Sequence, residues 1–154
     1  MQRTEDLLAG RRAAMAILAQ SDAASIERGL AAADCAAQFA ELRAPETGLV
    51  MLRGRIGGNG APFNVGEATV TRAAVQLASG EQGFAYILGR DARKARLAAL
   101  CDALWQAKKS RDSIERHVLA PLRDALEQRS QHERARTAAT KVDFFALVRG
   151  EDEQ

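Results

Sequence analysis

Three arginines sit at spacings that can gather negative charge. Arg53 and Arg55 lie two residues apart, which on an extended strand puts both side chains on one face. Arg72 falls in the next apolar-rich stretch. If the two stretches pair as neighbouring strands, three guanidinium forks can converge, and such forks match the oxygens of phosphates and carboxylates. Asn64, Glu67, Thr69 and Thr71 lie nearby in sequence as groups able to orient the arginines or a ligand. The span that holds them, RGRIGGNGAPFNVGEATVTR, also contains Gly57, Gly58 and Gly60, which permit backbone angles closed to other residues, and Pro62, which fixes one.

Three chemistries compete for this span: a phosphate cradle, a structural corner and a docking surface. A Walker loop needs a lysine and a hydroxyl residue after its last glycine, and no lysine follows any glycine here. A dinucleotide fingerprint needs a third glycine where Phe63 stands, and a helix where a strand follows. Both nucleotide motifs fail on the string. A wide loop joining two strands remains as the plain structural reading, although long irregular connections are often functional. Between anion binding and an arginine–carboxylate network at a subunit interface, the interface is favoured, because no general base or nucleophile accompanies the arginines. No catalytic residue is assigned.

The remaining reactive side chains are scattered. Cys35 and Cys101 form no CxxC pair, and His117 and His132 are far from both, so no metal site is expected. Small buried thiols are the expectation for both cysteines.

Elements that can position the span are legible on either side of it. Residues from about Thr4 to Gln20 show helical spacing, with Leu7, Leu8, Met15 and Leu18 on one stripe and Thr4 as a cap. Ser21-Asp22 starts a second helix whose apolar face is Ile26, Leu30 and Ala33. CAAQFAELRAPETG reads as a strand ending near Arg43, then a turn at APETG, since the residue before a proline is pushed to extended backbone. GLVMLRGRI is the next strand, with Val50, Leu52 and Ile56 on one face and Met51, Arg53 and Arg55 on the other. EATVTRAAVQL follows; Val70 and Val75 have opposite parity, which predicts a bulge or burial on both faces. Ser79-Gly80 signals a hairpin into GFAYILG, where Phe84, Tyr86 and Leu88 share a face. Asp91 caps a helix with Leu97, Leu100, Leu104 and Cys101 on its stripe. Ser110 or Asp112 opens another, interrupted at Pro121, and a final charged helix begins near Leu122. VDFFALVRG then brings Phe144 and Phe145 into an apolar cluster that calls for a surface to cover it, a candidate partner-docking element.

The fold class is therefore α+β: a small antiparallel sheet of three to four strands in the central part of the chain, flanked by N-terminal and C-terminal helices. The 154 residues are expected to form one domain, 1–154. A net charge of +2 is too mild to argue for nucleic acid. No apolar run reaches the roughly 18 residues of a bilayer span, and the first residues lack a signal-peptide core, so a cytoplasmic location with no membrane contact is expected.

The string itself adds more. ETGLVMLRGRIGGNGAPFNVGEATVTRAAVQL, followed by GFAYILGRDARKARLAALCDAL, resembles the PhnG family, the G subunit of the bacterial carbon–phosphorus lyase core complex; VDFFALVRG resembles that family's ending. The resemblance spans essentially the whole chain, and ETGLV, GRIGG, APFNVGEATVTR, YILGRD and VDFF are specific in combination. It implies a role in phosphonate catabolism when phosphate is scarce. Proteins of this kind act with H and I subunits and an L protein in a step where methylphosphonate displaces adenine from ATP, giving α-D-ribose 1-methylphosphonate 5-triphosphate. A J subunit carrying an iron–sulfur cluster and S-adenosylmethionine later cleaves the C–P bond, a K subunit resembles ABC-type ATPases, and G and I form a central two-fold part. The resemblance implies that this chain alone binds no cofactor and belongs to a two-fold assembly; separately, the alanine-rich helices and the VDFF tail carry apolar area that needs a partner, so without its companions the chain is expected to form a homodimer, with exchange of the C-terminal segment. The absence of a CxxxCxxC motif and of a P-loop fits that division of labour.

Overall fold

Two aspartates start helices. Asp22 accepts a hydrogen bond from the Ser25 N–H (2.8 Å), and Asp91 accepts one from the Lys94 N–H (2.8 Å). Each satisfies one of the donors that a helix start leaves without a partner. The computed structural model describes residues 2–35 and 37–140. Its elements are α1 (Gln2–Gln20), α2 (Ala23–Ala33), β1 (Phe39–Gly54), β2 (Phe63–Leu77), β3 (Gln82–Leu88), α3 (Ala92–Gln106), α4 (Lys108–Ile114), a π-helical turn (Glu115–Leu119) and α5 (Ala120–Ala139). The three strands form one antiparallel sheet in the order β1-β2-β3, flanked by helices from both ends of the chain. The fold is α+β. The VDFFALVRG segment, with Phe144 and Phe145, lies outside the described residues.

β2 is the central strand, and burial on both faces explains its mixed parity. Thr71, Ala73, Val75 and Leu77 are buried on the helix side, while Val70 and Ala74 are covered on the other. The helix side closes on α3, whose contact face is alanine rather than leucine. Ala95, Ala98, Ala99 and Ala103 are fully buried, whereas the expected stripe residues Leu97 and Leu100 are only partly so. Gly83 gives the reason: a Cβ there would stand 1.9 Å from the Ala99 carbonyl oxygen. Helix and strand approach backbone to backbone, and only small residues fit between them. Leu18, Ile26, Ile114, Val118 and Leu119 complete the core, each burying a side chain worth about 1.5–3 kcal/mol.

Four local expectations change. The helix α1 begins at Gln2, so Thr4 lies inside it and does not cap it. Leu7 and Leu8 are exposed; Ala14 and Leu18 carry the buried face of α1. The APETG segment is not a turn. β1 runs unbroken through Pro45, and register shifts between Glu41 and Arg43, and between Arg43 and Glu46, absorb it. An edge strand with bulges tolerates proline where a central strand does not. The chain also stays helical past Pro121. The π-turn just before it widens the ladder, and the Ala120 N–H donates to Glu115 O, five residues back. Gly29 of α2 presses against this turn, with room for no Cβ between it and His117 O (2.9 Å).

Candidate functional site

β3 pairs with β2 only from Gln76 back to Val70, so beyond Gly48 of β1 and Val70 of β2 no third strand supports the other two. Leu49–Gly54 and Phe63–Thr69 continue alone as a two-stranded arm, closed by residues 55–62. The helices do not follow. Leu49 and Met51 share the face of the fully buried Thr71 through its partner Thr47, yet they are 63% and 53% exposed. Leu52, Ile56, Phe63 and Val65 are exposed as well. An isolated two-stranded ribbon is marginal in water, and this one shows apolar side chains on both faces.

The arm's geometry follows from its small residues. Between Leu52 and Arg53 the register slips, leaving Val65 unpaired between Asn64 and Gly66. Gly54 accommodates that bulge, since a Cβ there would lie 2.7 Å from Val65 Cγ2. Gly57 (φ 65°) and Gly58 (φ 78°) take left-handed backbone at the tip. The tip is braced by hydrogen bonds from Gly60 N–H to Ile56 O (3.2 Å) and from Arg55 Nη1 to Gly60 O (3.1 Å).

The strands pair as expected, but the three arginines do not converge. Arg72 stands opposite Glu46, where its Nε donates to the carboxylate at 2.6 Å; Arg43 reaches the same carboxylate at 3.5 Å. The Glu46 carboxylate, and then the Tyr86 hydroxyl, raise the Arg72 guanidinium above its ordinary pKa. Arg53 stands opposite Asn64, seven residues further along β1, or roughly 23 Å at strand rise. Arg55 turns into the loop. The expectation of a triple cluster is overturned by this register: an ion pair in the supported sheet separates Arg72 from the two arginines at the arm's end. Glu67 stands opposite Met51 on the arm. Thr71 is fully buried and donates to Gly89 O (2.7 Å), so it serves the sheet. The arm thus brings Arg53, Asn64, Glu67 and the loop glycines onto one ribbon and leaves Arg72 on the body.

A second polar cluster was not foreseen from sequence. Asp102, 4% exposed, accepts from Arg11 Nε (2.8 Å) and Nη2 (2.6 Å), and from the Phe84 N–H (2.9 Å). Its hydrogen bond with Asp102 raises the Arg11 pKa against the opposing effect of burial. Gln106 Nε2 donates to Gln82 O at 2.6 Å. Together these groups bond the outer edge of β3 at Gln82 and Phe84 and tie α1 to α3 and the sheet. Arg11 and Asp102 are 91 residues apart, and no local signal links them. Among the described residues, no group of three or more His, Cys, Asp or Glu side chains is placed to hold a metal ion. Burial pushes the Cys101 thiol up to about 12, which keeps it from acting as a thiolate nucleophile. A cleft of about 860 Å³ is lined by Asp34, Cys35, Gln38, Glu81, Lys108 and Lys109, a mixed polar set. No helix among the described residues is long and apolar enough to cross a membrane.

The family described as "Phosphonate metabolism protein PhnG" matches residues 9–150, and the chain belongs to that family. A curated relative from Rhizobium meliloti (strain 1021) is 48% identical over 147 residues, covering 94% of this chain and 92% of its own length. That relative is named "Alpha-D-ribose 1-methylphosphonate 5-triphosphate synthase subunit PhnG".

Proposed function

We propose that the chain is a single-domain, non-autonomous subunit of the synthase that makes α-D-ribose 1-methylphosphonate 5-triphosphate in phosphonate catabolism. In the step proposed, an oxygen of methylphosphonate attacks C1′ of the ATP ribose; the glycosidic C–N bond breaks, and adenine leaves with its electron pair. The observation that carries the non-autonomous part is the arm: apolar on both faces, unsupported by any helix, and ending in two arginines without carboxylate partners among the described residues. The 48% identical relative supports the reaction assigned. H, I and L proteins are the companions proposed for this step. J, with its iron–sulfur cluster and S-adenosylmethionine, and K serve the same system. ATP is a substrate of the assembly rather than a cofactor of this chain, and the location is cytoplasmic, away from nucleic acid and membrane.

Purified alone, the chain is expected to release no adenine from ATP and methylphosphonate; turnover by the lone chain would refute the reading. Cells lacking it should fail to grow on methylphosphonate as sole phosphorus source. A second reading, pure assembly, rests on Arg53, Arg55, Asn64 and Glu67 lying on an exposed ribbon. Arg53→Ala and Arg55→Ala separate the two. Loss of co-purification with the other subunits assigns the arginines to docking. Normal assembly with adenine release reduced about a hundredfold or more assigns them to the active site.

A further inference from the structure

We infer that the outer edge of β1, over Thr47–Arg53, pairs antiparallel with the same edge of a second copy of this chain, about a two-fold axis at Val50. This deepens the two-fold assembly in the function proposed above and rests on that reading. Exposed strand edges are a hazard that folds blunt with prolines, bulges, charges or covering side chains. Other edges here are blunted in part. Asp102 and Gln106 bond the edge of β3 at Phe84 and Gln82, and the bulge at Val65 interrupts the open edge of β2 on the arm. Pro45 and two register shifts interrupt the first half of β1, and Arg96 of α3 pairs with Glu41 beside them. From Thr47 to Leu52 the pairing with β2 is regular, with no proline and no lysine, and no group among the described residues bonds the outer edge.

Two-fold symmetry allows few registers, because a residue on the axis must face its own copy. With Val50 on the axis, Leu49 faces the partner's Met51, and Gly48 faces the partner's Leu52. Every residue from Gly48 to Leu52 then meets a glycine or an apolar residue, and only Thr47 meets a charged one, the partner's Arg53. Moving the axis to Met51 sets Leu49 against Arg53, and moving it to Leu49 brings Arg53 against Pro45. Gly48 supplies an independent sign. A Cβ there meets nothing within 4 Å, and its φ is not positive. Gly66, opposite Leu52 on β2, is the same. Every other glycine among the described residues has either a positive φ or a neighbour within 4 Å. A glycine inside a strand often marks close approach by another backbone or ligand. The partner's Leu52 fills the space that Gly48 leaves. Seven residues of edge with four large apolar side chains from each copy bury roughly 1,000 Å² in total, the size of a weak, reversible interface.

The test uses the purified full chain. Sedimentation equilibrium across the micromolar range is expected to show a monomer–dimer equilibrium. Gly48→Val is expected to weaken it about tenfold, with the thermal midpoint of the diluted monomer unchanged or higher, since the monomer has room for the side chain. In a Cys35→Ser background, Val50→Cys should oxidise to a single linked dimer, because directly opposed strand residues lie within disulfide reach. Val65→Cys, on β2 and away from this edge, should not. A monomer at all concentrations overturns the proposal. So does a dimer that ignores Gly48→Val and gives no link at position 50, an outcome that leaves two-fold assembly through another surface standing. An edge that pairs only with a different polypeptide also overturns it. Growth on methylphosphonate without the chain would sink the functional reading while leaving this measurement intact.

Discussion

A methyl group added to Gly83 would collide with the Ala99 carbonyl at 1.9 Å, whereas the same methyl added to Gly66 would meet nothing within 4 Å. One glycine belongs to the body and the other to the arm, and the difference separates their purposes. In the body, small residues exist because the molecule's own backbone comes close. At Gly66 nothing internal comes close, and large apolar side chains sit in solvent beside the vacant space. The body is a finished core of helices on a sheet. The arm is an extension of that sheet without a third strand, and its apolar side chains lie exposed.

The sharpest way to break this comparison is the pair Gly83→Ala and Gly66→Ala. Gly83→Ala requires backbone to shift and should cost about 3 kcal/mol or more, with insoluble or partly unfolded protein as the extreme outcome. Circular dichroism and expression yield read it. Next in size is Asp102→Ala, which strips the partner from a half-buried arginine and from the Phe84 N–H. A loss of about 3 kcal/mol is expected, seen as a fall of about 10 °C in the thermal midpoint. Gly66→Ala should be neutral or stabilise by about 0.5 kcal/mol, by reducing the freedom of the unfolded chain. Destabilisation there comparable to Gly83→Ala would contradict the division. The smallest effect concerns pH. The Ser25 N–H, followed by the Ser25 side chain, holds the Asp22 carboxyl below its ordinary 3.8. A depressed carboxylate stabilises the fold above its unfolded pKa and loses that contribution as pH falls through the folded one. Asp22→Ala should therefore lower the midpoint by a degree or two at neutral pH, and the difference should vanish in acid below 3.8.

What was legible in the sequence follows the same line. The caps at Asp22 and Asp91, the hairpin at Ser79-Gly80 and the α+β order could be read because each depends on neighbours within a few residues. Pro45 and Pro121 misled because a proline only penalises local hydrogen bonding. An edge position with bulges spared β1, and a π-turn spared α5, and both are decided by surroundings far along the chain. The alanine face of α3 was hidden for the same reason, since hydropathy points to Leu97 and Leu100 while the close approach at Gly83 selects Ala95, Ala98 and Ala99. In the site, the pairing of the arginine-bearing strands was predictable, but their register was not. Register places Arg72 on Glu46 and carries Arg53 roughly 23 Å away along the strand. Family membership was legible because it is carried by the string as a whole and needs no register.

The most direct test of the central claim is a double substitution on the arm, Leu49→Asp with Met51→Asp, assayed for both folding and assembly. Both side chains are more than half exposed, so the thermal midpoint of the isolated chain should move by no more than about 2 °C, while co-purification with the other synthase subunits should be lost. A collapsed midpoint, or assembly that proceeds at full strength, would show that the arm belongs to the core or is idle, and would contradict the account.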